Sequence, residues 1–182
     1  GSSPSLKEIN LEIEERPTGE ISLTAGFGTT GETIGGGLRE KNFLGKGIRL
    51  DTNLELTADS IKGKFIYSKP NFNYTDNTLF TAIKSTSTDY ISDYGYKTNE
   101  NSISLGTTFQ QYENFYFSPS FLTSFETLDT TSKATANLRK QEGSYFDTYF
   151  NYTINYDLRN QRYQTTEGTQ TIFRQELPVI AE

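Results

Sequence analysis

Residues 19–41 read Gly-Glu-Ile-Ser-Leu-Thr-Ala-Gly-Phe-Gly-Thr-Thr-Gly-Glu-Thr-Ile-Gly-Gly-Gly-Leu-Arg-Glu-Lys. In the first half Ile21, Leu23, Ala25 and Phe27 alternate with Glu20, Ser22, Thr24, Gly26 and Gly28. That is the period of two of a strand with one apolar and one polar face. A two-residue turn at Thr30-Gly31 predicts a hairpin in which Phe27 faces Ile34, Leu23 faces Leu38 and Ser22 faces Arg39. The two strands then agree on which side is apolar.

The same alternation continues beyond the hairpin. After a turn at Asn42-Phe43-Leu44-Gly45-Lys46-Gly47, a third strand carries Ile48, Leu50, Thr52, Leu54 and Leu56 on one face and Arg49, Asp51, Asn53 and Glu55 on the other. A turn at Ala58-Asp59 predicts a fourth strand that sets Lys62 opposite Glu55 and Lys64 opposite Asn53. Residues 70–76 read as a turn, 78–88 as a fifth strand and 89–97 as a polar loop. The sixth strand holds Ile103, Leu105, Thr107 and Phe109, and 110–113 turns the chain. The seventh strand sets Phe115, Phe117, Phe121 and Phe125 on one side, with a local irregularity expected at Pro119 because proline cannot donate to a ladder. Residues 127–143 read as a long loop in which Ala134, Ala136 and Leu138 form a short helix. An eighth strand through Phe146, Phe150, Tyr152, Ile154 and Tyr156, and a ninth over 169–179, complete the series. Connections at 89–97 and 127–143 read as longer than those at 42–47 and 110–113.

Composition narrows the chemistry. The chain has 182 residues with 12 Tyr and 13 Phe, yet only 33% of it is hydrophobic and its mean hydropathy is -0.63. Alternating strands hide their apolar half from an averaged scale, most severely in a transmembrane barrel. No apolar run is long enough for a spanning helix. The absence of Cys removes disulfides and thiolate metal sites, and the absence of His removes Ser-His-Asp catalysis and imidazole ligation. A net charge of -6 lacks the basic footprint of a nucleic-acid binder, so no nucleic acid is expected as partner. No catalytic residue, metal ligand or cofactor is assigned. The chain does not begin with Met and shows no signal peptide, which reads as a mature or excised piece.

Nine up-and-down strands leave the first and ninth running the same way, so closing the sheet would require a parallel pairing. Single-chain bacterial barrels use even numbers of antiparallel strands. The expected fold is therefore all-β: an antiparallel transmembrane β-barrel segment of about nine strands, the front part of a larger barrel.

At Glu15-Arg16-Pro17-Thr18-Gly19, the glycine-rich hairpin, and Asn42-Phe43-Leu44-Gly45-Lys46-Gly47, the chain resembles the BamA family of outer-membrane protein assembly factors. Pro70-Asn71-Phe72, Asp157-Leu158-Arg159-Asn160 and Thr166-Glu167-Gly168 extend the resemblance over nearly the whole chain. It implies a sixteen-stranded barrel behind periplasmic POTRA domains, inserting nascent barrels through a seam between first and last strands. Residues 1–18 would be the end of a POTRA-like domain and its linker, and 19–182 the first part of the barrel. The expected location is the bacterial outer membrane. Expected partners are nascent outer-membrane β-barrel proteins, outer-membrane lipids and accessory assembly lipoproteins. The later strands and the family's Val-Arg-Gly-Phe loop motif are not in this chain.

In that family the first strand offers its backbone edge to a client's terminal strand. Here the strand is Glu20, Ile21, Ser22, Leu23, Thr24, Ala25, Gly26, Phe27 and Gly28. Two readings of Gly26, Gly28, Gly35, Gly36 and Gly37 stand side by side. They relieve crowding where a barrel curves, or Gly35, Gly36 and Gly37 soften the seam for β-augmentation. On the second reading Gly36→Val slows client insertion without unfolding the barrel. Arg49, Asp51, Glu55, Lys62 and Lys64 read as lumen-facing ion pairs rather than an acid-base site. Phe43, Phe72, Tyr74, Tyr112 and Phe115 read as interfacial anchors. Lys133, Arg139 and Lys140 read as solvated loop charge. The alternatives are a passive outer-membrane porin or transporter, and a soluble carbohydrate-active β-protein using Asp51 and Glu55.

Overall fold

A computed structural model of the chain describes residues 17–28, 31–161 and 163–181. Residues 1–16, where the end of a POTRA-like domain is expected, lie outside the described residues. Nine strands form one sheet: β1 (Gly19–Gly28), β2 (Gly31–Phe43), β3 (Ile48–Thr57), β4 (Ser60–Lys69), β5 (Thr78–Tyr90), β6 (Tyr96–Tyr112), β7 (Phe115–Thr130), β8 (Gly143–Asp157) and β9 (Gln170–Ala181). They pair in chain order, and every pairing is antiparallel. The sheet is not closed: among the described residues β1 pairs with β2 alone and β9 with β8 alone. A four-residue helix, α1 (Ala136–Arg139), follows the N-cap Thr135, whose hydroxyl accepts from Leu138 N. No helix of the described residues is long and apolar enough to cross a membrane.

The alternation read from the sequence continues across the sheet because the register carries it from strand to strand. On one face Ala25 faces Ile34, Ile34 faces Leu56 and Leu56 faces Ile61. Further along, Phe65 faces Ile83, Ile83 faces Ile103, Leu105 faces Phe121, Phe121 faces Phe150 and Phe150 faces Leu177. The opposite face carries the charged rows. No second layer covers the apolar face, so among the described residues only Ile48, Leu128 and Ala134 are buried hydrophobics. A water-soluble sandwich or barrel of this size would bury such rows against each other. A single sheet that is greasy on one face and charged on the other is the wall of a membrane barrel.

The first hairpin differs from the expected register by two residues. Leu23 faces Gly36, Ala25 faces Ile34, Ile21 faces Leu38 and Ser22 faces Gly37. Gly28 faces Gly31, so the loop is residues 29–30, which lie outside the described residues. Gly31 takes φ +87°, a conformation glycine adopts freely, and serves as the first residue of β2 rather than as part of the turn. A slip of two conserves side-chain facing, so both registers put the same residues on the apolar side. The second hairpin has the expected pairing, Glu55 with Lys62 and Asn53 with Lys64.

Strands β5 to β7 are longer than their apolar residues suggest. β6 runs 17 residues and β7 runs 16, leaving connections only at 91–95 and 131–142. The expected contrast of short connections at one end and long ones at the other is absent. The near end, where β1 begins, carries 44–47, 70–77, 113–114 and 158–169, and the far end carries 58–59, 91–95 and 131–142 among the described residues. Connection 158–169 is closed at its base by Leu158 N to Thr169 O (2.8 Å) and Asn160 N to Glu167 O (3.1 Å). Pro119 keeps its place in β7 opposite Tyr152. On its other side the ladder passes from the Gly106–Ser120 pair to Phe109–Phe117.

Candidate functional site

The open edge of β1 is formed by the residues from which the sequence reading starts. All of β1 is exposed, with Ile21 at 81%, Leu23 at 87% and Phe27 at 86%. An antiparallel strand directs alternate N–H and C=O groups to opposite neighbours. Half of those on β1 therefore turn to β2 and half to the open side. Glu20, Ser22, Thr24 and Gly26 lie on the charged face; Ile21, Leu23, Ala25 and Phe27 lie on the apolar one.

Gly35, Gly36 and Gly37 face Thr24, Leu23 and Ser22. The three are not equivalent. A Cβ on Gly36 would stand 3.5 Å from Leu23 Cδ2, in ordinary contact on the apolar face. A Cβ on Gly37 would come 2.8 Å from Ser22 Oγ and 3.2 Å from Thr52 O. One on Gly35 would come 3.3 Å from Leu54 O. Gly35 and Gly37 thus admit the close approach of neighbouring groups on the charged face. Gly36 simply withholds a side chain from Leu23. Gly26 and Gly28 face open space.

The near end of the hairpin is held by polar contacts that alternation does not reveal. Glu40 Oε1 accepts from Thr18 Oγ1 and from Asn42 N (2.7 Å). Lys41 N donates to Thr18 O (3.3 Å), and Lys41 Nζ meets Glu20 Oε1 at 3.3 Å. A register shift between Glu40 and Phe43 marks a bulge in β2 at this point.

Of the expected charged set, Glu55 and Lys62 pair with each other, Asp51 pairs instead with Arg39, and Arg49 and Lys64 join no ion pair among the described residues. Lys62 Nζ lies 3.1 Å from Glu55 Oε1 and Arg39 Nε 3.2 Å from Asp51 Oδ2. Arg39 was seen in the sequence only as a cross-strand neighbour of Ser22. Asp51 and Glu55 are thus each engaged by a cation rather than directed at one another across a cleft. Lys64 faces Lys84, and Glu100 faces Glu126. No group of acidic side chains among the described residues is arranged to hold a metal ion.

Phe43, Phe72, Tyr74, Tyr112 and Phe115 all fall at the near end, beside the connections 44–47, 70–77 and 113–114. Four of them, Phe43, Phe72, Tyr74 and Tyr112, are exposed. At the far end 91–95 and 131–142 pack together: Thr131 N donates to Gly95 O (2.7 Å) and Lys133 Nζ to Ser92 O (2.8 Å). Lys133 is therefore engaged with a neighbouring loop rather than simply solvated.

The described geometry has counterparts among known proteins. Residues 42–181 match the model of the Omp85 superfamily domain. No curated protein sequence matches the chain. Among solved structures, the chain is similar to the crystal structure of BamA from Haemophilus ducreyi lacking POTRA domains 1-3, with a TM-score of 0.65 at 21% identity. The match covers 91% of this chain and 35% of that one, so this chain spans about a third of that structure's length. The likeness is one of fold.

Proposed function

The chain belongs to the Omp85 superfamily, and we propose that it forms the leading wall of a bacterial outer-membrane barrel that assembles and inserts other outer-membrane β-barrel proteins. In this reading β1 is the template. Its open row of N–H and C=O groups, from Glu20 to Gly28, pairs with an extended strand of the client by β-augmentation. The single observation that carries the reading is that row: β1 has a neighbour on one side only and is exposed along its whole length. Inside a bilayer an unpaired backbone edge has no water to bond, so a strand offered there gains the full value of each hydrogen bond it completes.

The chemistry is non-covalent. Strand pairing supplies the driving force, and the side chains of the charged face act as ion pairs within the barrel wall. The partners are nascent outer-membrane β-barrel proteins and the surrounding outer-membrane lipids, with accessory assembly lipoproteins acting beside them. A POTRA-like domain would precede Gly19. Gly35, Gly36 and Gly37 make the seam pliant, because β2 gives β1 no side-chain grip opposite Ser22, Leu23 and Thr24.

The test is client insertion into liposomes by the full-length protein. Gly36→Ala, and more so Gly36→Val, should slow insertion while the barrel stays folded, because the added carbons engage Leu23. Unchanged insertion rates in both variants would remove the glycines from the mechanism. A cysteine placed in β1 that never cross-links to a cysteine in the client's terminal strand would remove the template itself.

A further inference from the structure

Cross-strand side-chain pairs are what hold neighbouring strands of a sheet to each other. Between β1 and β2 that grip is missing opposite Gly35, Gly36 and Gly37, but the near end is arranged differently. Glu40 faces Gly19 and stands in the same facing row as Leu38 and Leu50. A carboxylate on that row would meet lipid at a cost. It turns back toward the near end instead, where its Oε1 takes hydrogen bonds from Thr18 Oγ1 and Asn42 N. Room for this comes from Gly19: a Cβ there would lie 2.9 Å from Glu40 Oε2.

Two neighbouring residues extend the tie. Lys41 bonds Thr18 O through its backbone and Glu20 through its side chain. Asn42 Oδ1 accepts from Gly47 N at 2.6 Å, so the connection 44–47 is joined to the same knot. An exposed strand end needs only water to satisfy its backbone. Here the contacts converge instead on Thr18, the residue through which the chain enters β1, and they use a glycine whose missing side chain makes the space.

We infer that Glu40 is a positioning residue for β1: seated over Gly19 and bonded to Thr18, its carboxylate fixes how the chain enters the open-edge strand and keeps the near end of β1 in register with β2. The stretch facing Gly35, Gly36 and Gly37 is then the part that yields. This rests on the reading of the β1 edge as the pairing template.

Hydrogen exchange of the full-length protein in phospholipid nanodiscs tests the seat without any client. In Glu40→Ala, which removes the acceptor, and in Gly19→Ala, which displaces the carboxylate, the amides among residues 20–23 that turn to β2 should exchange about five- to tenfold faster than in the parent. Amides of β5 to β7 should not change. Glu40→Gln retains an oxygen able to accept both bonds and should stay near the parent. Unchanged exchange at 20–23 in Glu40→Ala, or an equal rise throughout β5 to β7, would overturn the inference. Client insertion measured on the same samples separates the two readings. Slower insertion in Glu40→Ala, restored in Glu40→Gln, supports both; faster exchange with unaltered insertion leaves the seat standing and counts against β1 as the template.

Discussion

Phe80 stands over Gly106. The two face each other across β5 and β6, and a Cβ at position 106 would come 2.4 Å from Phe80 Cζ, 2.6 Å from Ser120 Cβ and 2.7 Å from Pro119 O. Three strands therefore close on a position that only glycine fits. Gly106→Ala should destabilise the barrel by about 1–3 kcal/mol, the usual range for overpacking. The measurement is the temperature at which the compact band of the full-length protein is lost on unheated detergent gels. Adding Phe80→Ala should recover part of the loss, because Pro119 O and Ser120 Cβ remain in the way.

Tyr152 and Gln175 face each other on the apolar side of β8 and β9, and the phenol donates to Gln175 Oε1. Tyr152 is set among Phe117, Phe150 and Phe173, with ring centroids 6.0–6.1 Å away. Tyr152→Phe removes the donor and leaves the amide oxygen unpaired on the apolar face, at an expected cost of about 1 kcal/mol. Gln175→Leu removes the group that needs the bond. The double variant should therefore be more stable than Tyr152→Phe alone, a coupling that a double-mutant cycle reads directly.

The Glu55–Lys62 pair should matter through its sign rather than its strength. Both side chains are substantially exposed, at 40% and 55%, so the pair contributes less than about 1 kcal/mol. Lys62→Glu should lower stability modestly and by less at high salt, since screening weakens repulsion between exposed charges. Exchanging the two residues, Glu55→Lys with Lys62→Glu, should restore the parent value. Equal losses at low and high salt would mean that the lysine's stem, not its charge, supports the strand.

Arg159 and Asp157 make a two-pronged contact, Nε to Oδ1 and Nη2 to Oδ2 at 2.8 Å each. The hydrogen bond to Asp157 holds the guanidinium even further above its ordinary pKa, so the arginine is charged at every pH of interest. Arg159→Lys keeps the charge and loses the fork. Faster amide exchange at Leu158 and Asn160, the donors that close connection 158–169, is the expected result. Exchange like the parent's would show that the backbone bonds suffice.

Side-chain facing was legible in the sequence because a period of two withstands a slip of two: Leu23 points the same way whether it faces Leu38 or Gly36. Register was not, since it depends on where Gly31 sits relative to the turn, and composition does not show that its positive φ belongs to the first residue of β2. The ends of β5, β6 and β7 were obscured for another reason. There the would-be apolar face carries Ser85, Ser87, Asn99, Asn101 and Thr127, which bond one another: Ser85 to Asn101 and Ser87 to Asn99 at 2.7 Å, and Asn99 to Thr127 at 3.4 Å. With both faces polar, the alternation that marks a strand disappears, so 89–97 reads as loop.

The irregular positions were equally hidden. In β9 the register shifts so that Tyr149 faces Pro178 while Thr148 faces Ile180, leaving Val179 as the extra residue. Strict alternation from Leu177 would turn Ile180 to the charged face. The shift sets it instead opposite Thr148, on the apolar side. The seat of Glu40 over Gly19 was unreadable for the same reason, because it depends on a bulge and a rotamer rather than on residue type. The Glu55–Lys62 pair was readable because its two-residue turn left no freedom.

The open margin of β1 bonds through its backbone, and backbone groups are alike in every chain. Ile21, Leu23 and Phe27 stand exposed beside it and add only a greasy fringe of period two. An edge of this kind accepts extended strands of matching alternation without reading their sequence, so any selectivity it shows must come from side chains outside the hydrogen-bonded row.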